Sequence, residues 1–356
     1  MKSIEIHGYK SIKDLQLPLN TINILIGANG SGKSNLLSFF VFLKAMYSRN
    51  LRETVALGGG MDRYLYDGRK ITSEISAKLL FDQNAYSFTL TAGNEAFVIT
   101  KEGLWYDWNP YVWNPIDIAT MSEESQLQYS NKPRATYIRE YLEQLKKYHF
   151  HDTSKNSPFT KMSNIGNDGY FLLPQGENLA AFLYAIRTKS PIYYNLIVRT
   201  IQSVAPYFRD FFLNPDENGN LLLKWQDKYS DNVYGAVDLS DGTIRFIALT
   251  TLFMQPNLPQ TIILDEPELG LHPVAIAKLS GMMKSAAAKG CQIIVATQST
   301  DLIGYFDAED IITVDQINGE SVYRRLSSDE LSVWLDDYTI GELWKNNMIN
   351  GGQPNN

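Results

Sequence analysis

The chain has little cysteine and no long apolar run. Cys291 is the single cysteine among 356 residues, so no disulfide can form within one copy. No apolar stretch approaches the roughly 20 residues that cross a bilayer, and the first residues lack the apolar segment of a secretory signal. We therefore expect a cytoplasmic protein that is not a membrane permease and has no membrane partner.

A surplus of basic residues is also absent. The chain holds 39 Asp or Glu against 32 Lys or Arg, and its formal net charge of -7 gives no overall attraction to phosphate backbones. DNA or RNA would need a local basic surface. Residues 132–155 hold six Lys or Arg, three Asp or Glu and several tyrosines, a pattern that fits either such a surface or a solvated helix with buried tyrosines.

Strand and helix patterns alternate along the chain. The first 26 residues predict three strands, of which the last, TINILI, is an apolar run typical of a strand covered on both faces. A helix follows at 33–48, and the alternation over 70–106 predicts antiparallel strands with one solvated face. Further on, helices near 242–254 and 274–288 alternate with the strands TIILD, CQIIVAT and DIITVD, which implies a parallel sheet.

This order divides the chain into four parts. Residues 1–106 and 211–328 would form the two halves of an α/β nucleotide domain. Residues 107–210 would form a mainly helical insertion, with helical segments near 134–148 and 178–208 and breaks at Pro191 and Pro206. We expect residues 329–356 to form a C-terminal helix and a flexible tail.

The strongest motif lies between the third strand and the first helix. Residues 27–34, GANGSGKS, match G-x4-G-K-[ST] in full. Its glycines permit positive φ, so that backbone N–H groups surround phosphates, and Lys33 would reach the β and γ phosphates while Ser34 binds Mg²⁺. A plain glycine turn is the alternative. The expected cofactors are ATP and Mg²⁺, and the expected binding residues here are Asn29, Gly30, Ser31, Gly32, Lys33, Ser34 and Asn35.

Two acids end a later apolar strand, TIILDE over residues 261–266. A carboxylate at the C-terminal end of a parallel strand lies near the ligand crevice of such a sheet, so Asp265 can hold Mg²⁺. Glu266 would then be the base that orients and deprotonates the attacking water. Alone, the pattern also fits a strand that ends in an acidic turn, but together with the glycine-rich motif it predicts hydrolysis.

A third motif, DLSDGTIR over residues 238–245, opens an apolar helix. Ser240 is a good N-cap and Gly242 leaves room for close approach, so the exposed N–H groups near Asp241 would form an anion site without a lysine of its own. Such a site would complete the phosphate site of another copy. The alternative is an ordinary capped helix.

The segments NILIGANGSGKSNLL, DLSDGTIRFIALT, IILDEPELGLHP and IIVATQSTDLI resemble, in order and spacing, the ABC-type ATPases of the RecF, SMC and OLD group; HGYKSIKD resembles its opening segment. The resemblance is thin across the insertion. It implies an ABC-type P-loop ATPase head with a mixed or parallel sheet core, an antiparallel β side lobe and a helical insertion. It also implies that Lys10 and Ser11 lie near the nucleotide base, that Ser240 to Gly242 contact the γ phosphate of the opposite subunit, and that Glu268 to His272 meet that subunit.

Two departures from the group bear on function. The signature reads LSDGT where transporters carry LSGGQ, which argues against a transporter subunit. Gln298 stands where many relatives carry a switch histidine. Glutamine hydrogen-bonds the γ phosphate or the water but cannot take a proton, so it favours slow turnover.

The resemblance implies an ATPase that acts as a homodimer, or a higher oligomer of dimers, and controls a nucleic-acid process in DNA repair or in defence against phages and plasmids. Larger relatives often carry a Toprim nuclease or a long coiled coil. Because neither pattern is found here, we expect a separate effector nuclease to cut any DNA or RNA. Two other hypotheses remain: a slow nucleotide-gated scaffold that holds and releases a toxin or effector, and a small-molecule kinase.

His149 and His151 form an H-x-H pair within the predicted insertion. No carboxylate or cysteine stands near them at a spacing typical of metal ligands. We therefore expect solvated histidines at a helix end.

Overall fold

A computed structural model describes residues 1–106 and 116–352. It divides into two compact units, one formed by Met1–Leu145 with Asp307–Asn356 and the other by Lys146–Phe306. These limits differ from the four predicted parts, which remain a prediction. Residues 107–115 of the predicted insertion and 353–356 of the predicted tail lie outside the described residues.

The helices and strands are numbered in chain order. The strands are β1 (Ser3–Tyr9), β2 (Ile12–Pro18), β3 (Ile22–Ile26), β4 (Glu74–Phe81), β5 (Asn84–Ala92), β6 (Phe97–Tyr106), β7 (Ile116–Ala119), β8 (Leu145–Tyr148), β9 (Ser163–Asn164), β10 (Phe208–Phe211), β11 (Asn220–Leu221), β12 (Lys224–Asp227), β13 (Val233–Gly235), β14 (Thr261–Asp265), β15 (Gln292–Thr297), β16 (Ile311–Ile317) and β17 (Glu320–Arg325). The helices are α1 (Lys33–Tyr47), α2 (Leu51–Leu57), α3 (Pro133–Glu143), α4 (Leu179–Lys189), α5 (Pro191–Gln202), α6 (Asp241–Met254), α7 (Pro273–Ala288), α8 (Thr300–Ile303), α9 (Ser328–Leu335) and α10 (Ile340–Lys345).

An antiparallel sheet in the first unit has the strand order β2-β1-β4-β5-β6-β7. Buried and less buried side chains alternate along β4, as the polar and apolar alternation of its sequence predicts. Aromatic rings connect the sheet to α1: Phe39 stacks on Phe88 with 6.3 Å between ring centroids and meets Tyr9 edge-on at 5.2 Å. This sheet is the predicted β side lobe, and it covers one face of α1.

The first unit also holds the strand that leads into the glycine-rich motif. All five residues of β3 are buried, and β3 runs parallel to β16 with Ile24 opposite Ile311 and Ile26 opposite Thr313. β16 in turn pairs antiparallel with β17. The predicted covered strand is therefore present, and it ends where the motif begins.

The second unit contains the parallel strands β14 and β15, with Thr261 opposite Gln292 and Asp265 opposite Ala296. The helices α6 and α7 have the predicted positions along the chain, and α6 is mostly buried. No helix among the described residues combines the length and the apolar character that a bilayer span requires. The alternation of helix and parallel strand predicted for this part of the chain is confirmed.

Three segments differ from the predictions. The helix predicted at 134–148 ends at Glu143, and β8 follows it beside β14, because pairing along a sheet outweighs the local helix propensity of so short a segment. The segment predicted at 178–208 breaks at Pro191 into α4 and α5, as predicted, but α5 already ends at Gln202 and β10 follows. The strand predicted in YGAVDL ends at Gly235, where a helical turn begins.

Candidate functional site

A glycine-rich turn joins β3 to α1 in the first unit. Gly30 and Gly32 have φ of +80° and +113°, a region that L side chains rarely adopt. A Cβ at Gly27 would lie 2.3 Å from the carbonyl oxygen of Val314, and one at Gly32 would lie 2.0 Å from Ser321 Oγ. No described atom lies within 4 Å of a Cβ at Gly30. The turn therefore packs tightly on β16 and β17 while Gly30 faces open space.

Lys33 begins α1, and its side chain turns back over the loop. Its Nζ donates hydrogen bonds to the carbonyl oxygens of Gly27 at 2.6 Å and Ala28 at 2.9 Å, and the residue is only 6% exposed. Ser34, the next residue, is exposed. The Ser31 hydroxyl is buried and has no hydrogen-bond partner in the part of the chain that the structure describes. A buried ammonium, an unpaired hydroxyl and an exposed hydroxyl fit a triphosphate with Mg²⁺.

Two side chains of β17 hold the carbonyl groups of the same loop. Ser321 Oγ donates to the Ser31 carbonyl at 2.7 Å, and the Tyr323 hydroxyl donates to the Gly32 carbonyl at 2.9 Å. Burial raises the pKa of Tyr323, so its hydroxyl stays protonated and available as a donor. Neither residue was predicted, because β17 carries no motif. The one signal was the spacing of the glycines, which requires another segment to pack against the loop.

The predicted opening segment lies beside the first turn of α1. Ser11 Oγ accepts a hydrogen bond from Asn35 Nδ2 at 2.6 Å and lies 2.6 Å from Ser321 Oγ. Lys10 has φ of +50°, and its Nζ donates to Ser38 Oγ at 2.9 Å. Lys10, Ser11 and Asn35 therefore adjoin the loop, on which Asn29 is exposed. Their contact with a nucleotide base remains a prediction.

In the second unit, Asp265 ends β14 with two neighbours that the sequence analysis did not assign to a site. Lys147 Nζ lies 3.8 Å from Asp265 Oδ2, and His151 Nε2 is hydrogen-bonded to the Asp265 carbonyl at 2.8 Å. His149 stacks on His151 with 4.4 Å between ring centroids. The expectation of helix-end histidines is wrong, because both follow β8 and His151 is bonded beside the predicted magnesium carboxylate.

Glu266 and Gln298, the predicted base and switch residue, are in direct contact. Gln298 Nε2 donates to Glu266 Oε1 at 2.5 Å, and the Glu266 N–H donates to the Ala296 carbonyl at 2.8 Å. Glu266 has φ of +42°, which is uncommon for a residue with a side chain and costs roughly 1–3 kcal/mol. The fold thus maintains a strained backbone at this carboxylate.

A second carboxylate, Glu268, is buried beside this pair. Its Oε1 accepts a hydrogen bond from Thr297 Oγ1 at 2.5 Å, while its buried Oε2 has no partner within the described ranges. Burial raises the pKa of the Glu268 carboxyl, and the charge of nearby Glu266 raises it further. Thr297 and Gln298 therefore each bind one of two neighbouring acids.

The third motif forms the N-terminus of α6. Ser240 Oγ accepts a hydrogen bond from the Thr243 N–H at 3.3 Å as the predicted N-cap, and Ser240 and Asp241 are exposed. A Cβ at Gly242 would lie 2.4 Å from the carbonyl oxygen of Gly270. Gly242 therefore allows the close approach of its own chain, in addition to any approach of a phosphate.

Arg245 joins three segments of the second unit, a role that the motif alone does not reveal. Its Nη1 donates to the Leu269 carbonyl at 2.6 Å, in the loop that follows β14. Its Nε donates to the Phe150 carbonyl at 3.2 Å and its Nη2 to the His151 carbonyl at 2.8 Å. The exposed end of α6 is thus fixed to the loop after β14 and to the segment after β8.

The residues predicted for the site fall into two groups. The first unit brings together Lys10, Ser11, Asn29, Gly30, Ser31, Gly32, Lys33, Ser34 and Asn35. The second unit holds Ser240, Asp241, Gly242, Asp265, Glu266 and Gln298. No three His, Cys, Asp or Glu side chains of residues 1–106 and 116–352 form a metal cluster. Within the second unit, the carboxylate of Asp265 fits Mg²⁺, which usually binds through one or two carboxylates and takes further oxygens from substrate phosphates and water.

Residues 22–304 match the family described as AAA domain, putative AbiEii toxin, Type IV TA system. The match covers more than half of the 356 residues. The chain belongs to this AAA domain family. The predicted ABC-type P-loop ATPase family is thereby confirmed.

One curated protein and two solved structures are similar to this AAA domain protein. EcfA2, the energy-coupling factor transporter ATP-binding protein of Lactobacillus delbrueckii subsp. bulgaricus, is 26% identical over 191 residues, which are 52% of this chain and 62% of EcfA2. An SMC head bound to the C-winged helix domain of ScpA has a TM-score of 0.60 at 16% identity and covers 93% of this chain and 99% of its own. An SMC head with an extended coiled coil, bound to the C-terminal domain of ScpA derived from Pyrococcus furiosus, has a TM-score of 0.55 at 14% identity, with 94% and 98% covered. The two solved structures confirm the predicted fold class.

Gly242→Ala should destabilise the protein by about 1–3 kcal/mol, because the added methyl group would overlap the Gly270 carbonyl. Gly281→Ala is the matched control. Gly281 lies in α7 with no described atom within 4 Å of its Cβ, so alanine there should stabilise the helix by up to about 1 kcal/mol. Denaturant unfolding measures both, and equal effects of the two substitutions would contradict the close packing.

Glu268→Gln should raise the melting temperature relative to the parent, increasingly so as the pH rises from about 4 to about 8. The parent holds the Glu268 proton more tightly when folded, so this stability is full below the ordinary glutamate pKa and is lost as the pH rises through the folded pKa. Glutamine has no such dependence. Melting curves across this pH range test the prediction, with the exposed Glu53→Gln as control; a constant difference at every pH would refute it.

Proposed function

We propose that this chain is an enzyme that hydrolyses ATP to ADP and phosphate. The observation that carries the proposal is the loop after β3, where the buried Lys33 ammonium and the exposed Ser34 hydroxyl lie beside a turn held open by glycines. Membership of the AAA domain family supports ATP as the ligand. Lys33 and the N–H groups at the start of α1 bind the phosphates in this proposal.

Asp265 and Ser34 are the residues proposed to hold Mg²⁺. When bound, Mg²⁺ neutralises phosphate charge. Glu266 orients the attacking water and accepts its proton, and Gln298, already bonded to Glu266, fixes the direction of that carboxylate. The positive φ of Glu266 supports this role, because strained backbone is concentrated at functional sites.

We further propose that two copies form a dimer with composite sites, in which the start of α6 of one copy contacts the γ phosphate held by the other. The exposed Ser240 and Asp241 support this arrangement. The first N–H groups of a helix have no partner within the helix and favour an anion. Arg245 keeps this end of the helix in place through three carbonyl groups.

The biological process proposed for the dimer involves nucleic acid, either in defence against phages and plasmids or in DNA repair, with a separate effector nuclease. The toxin and TA system in the family description support the defence role. The fold shared with SMC heads supports a role of nucleotide-driven opening and closing.

A second function is favoured by the contact between Gln298 and Glu266. A hydrogen bond of 2.5 Å occupies the proposed base, and glutamine cannot take up a proton. Turnover would then be slow, and the chain would act as a nucleotide-gated scaffold that holds a toxin or effector protein and releases it. The two functions differ in turnover number.

Purified protein should release many phosphates per copy from ATP with Mg²⁺, faster with DNA present, and Glu266→Gln should reduce the rate at least about a hundredfold because it removes the base. Nucleotide affinity should stay unchanged in Glu266→Gln, since Lys33 and the loop remain. Phosphate release and binding of a fluorescent ATP analogue measure the two quantities. Fewer than one turnover per copy, with intact nucleotide binding, would contradict the proposed enzyme and support the nucleotide-gated scaffold.

Lys33→Ala and Ser240→Arg, each inactive alone, should recover activity when mixed, because a heterodimer contains one intact composite site. With random exchange of copies, about a quarter of the parental rate is expected. A mixture of Lys33→Ala with the double variant Lys33→Ala/Ser240→Arg is the matched control, since no intact site can form there. If both mixtures were equally inactive, the composite site would be excluded.

A further inference from the structure

Two neighbouring aromatic side chains of the second unit are exposed on a loop between β9 and α4. Tyr170 is 74% exposed and Phe171 is 51% exposed, although large aromatic side chains are usually buried. Neither belongs to the motifs or to the proposed ATP site. An exposed aromatic pair of this kind indicates an interaction surface.

The loop that carries the two rings is held rigidly. Asn178 is 2% exposed, and its side chain makes three hydrogen bonds to the backbone of the loop: Nδ2 donates to the carbonyls of Asp168 at 2.8 Å and Phe171 at 2.7 Å, and Oδ1 accepts from the Leu173 N–H at 2.9 Å. Asp168 Oδ2 also accepts from the Asn164 N–H at 2.7 Å. The rings are therefore presented from a fixed backbone, which lowers the entropy cost of binding.

A lysine ammonium lies beside each ring. Lys146 Nζ is 3.8 Å from the centroid of the Phe171 ring, and Lys189 Nζ is 5.6 Å from that of Tyr170. Both distances fall in the range of cation–π contacts. The surface formed by Lys146, Tyr170, Phe171 and Lys189, which we name the aromatic-lysine surface, thus pairs two π faces with two positive charges.

The surrounding segment has the opposite charge from the chain as a whole. Residues 146–190 contain six Lys or Arg and three Asp or Glu, a net charge of +3, whereas the whole chain has a net charge of -7. Anionic ligands are therefore attracted to this segment although the chain as a whole repels them.

We propose that the aromatic-lysine surface binds single-stranded nucleic acid, with bases stacked on Tyr170 and Phe171 and phosphates paired with Lys146 and Lys189. Stacked rings with a positive groove are the combination by which proteins bind single strands without reading their sequence. The proposal rests on the nucleic-acid part of the proposed function and names the ligand of that function.

A single strand fits better than the other polyanions. The bases of a duplex are stacked on each other and offer no free face to a protein ring, so a duplex would use the lysines alone. An acidic protein segment would likewise pair with the lysines, but its carboxylates would not stack on the two exposed rings. The two exposed rings therefore favour a ligand with unpaired bases.

Binding of a fluorescein-labelled 20-mer of deoxythymidine to the full chain, followed by anisotropy without nucleotide, tests the proposal. Tyr170→Ala/Phe171→Ala should weaken binding roughly tenfold or more, as the loss of stacked bases predicts. Lys146→Gln/Lys189→Gln should weaken binding and make its dependence on salt less steep, because fewer phosphate counterions are released. Tyr170→Phe/Phe171→Tyr, which keeps both rings, should bind as the parent does.

Lys228 and Tyr229 provide a matched control elsewhere in the second unit. Tyr229 is 76% exposed and Lys228 Nζ lies 5.9 Å from its ring centroid, but Asp227 and Asp231 flank the pair. Lys228→Gln/Tyr229→Ala removes the same chemical groups from an acidic setting and should leave binding unchanged. All variants change exposed or half-exposed side chains, and melting curves verify that each is folded.

The proposal is overturned if the parent does not bind the single strand, if a duplex of the same length binds equally well, or if the ring-free variant binds like the parent. Protein binding to this surface without oligonucleotide binding would also overturn it. The outcome is independent of ATP hydrolysis: Lys33→Ala should lose nucleotide binding and keep oligonucleotide binding. Oligonucleotide binding without ATP turnover would support the proposal for the aromatic-lysine surface and contradict the proposed enzyme.

Discussion

The proposed phosphate site depends on which groups bind the carbonyl oxygens of the turn after β3. A loop can present N–H groups to an anion only if its carbonyl oxygens find partners elsewhere, because a buried carbonyl without a partner is costly. Here Lys33 binds the carbonyls of Gly27 and Ala28, while Ser321 and Tyr323 bind those of Ser31 and Gly32. The glycines make this packing feasible, since a side chain at Gly27 or Gly32 would collide with β16 or β17. The turn is thus shaped as much by β17 as by its own sequence.

In the second unit, the start of α6 must likewise be held in place by other segments of the chain. An exposed helix end that is to contact a ligand of another copy should be ordered before binding, because the entropy lost by ordering it on binding would weaken the affinity. Three hydrogen bonds of Arg245 and the close contact between Gly242 and Gly270 fix it to the loop after β14. The same loop carries Glu266 and Glu268, so the position of α6 and the direction of the acids are determined together.

The sequence predicted the fold well where a motif or a strict periodicity was present. β3, α1, β14 and β15 were predicted because apolar runs and alternation report burial directly. β8 was predicted as helix and β10 was not predicted, because short strands depend on partners distant in the chain. Within the candidate site, motifs predicted the residues proposed to face the ligand but not their supports. Ser321, Tyr323, Lys147 and His151 act through contacts with segments distant in the chain, which leave no pattern in one sequence. The requirement for glycine at position 242 was also not predictable, since only the fold brings the carbonyl of Gly270 against it.

β8, which the sequence predicted as helix, connects the two surfaces of the second unit that are proposed to bind ligands. Adjacent side chains on a strand point to opposite faces of the sheet. Lys146 accordingly lies over the Phe171 ring of the aromatic-lysine surface, and Lys147 lies 3.8 Å from the Asp265 carboxylate. A shift of β8 that follows ligand binding at Phe171 would move Lys147 relative to Asp265, and removal of that positive charge would favour a cation at the carboxylate. By reciprocity, a cation that displaces Lys147 would change the position of Lys146 relative to the Phe171 ring. If both proposed ligands bind, this one short strand gives nucleic acid and magnesium a physical route by which each would influence the binding of the other.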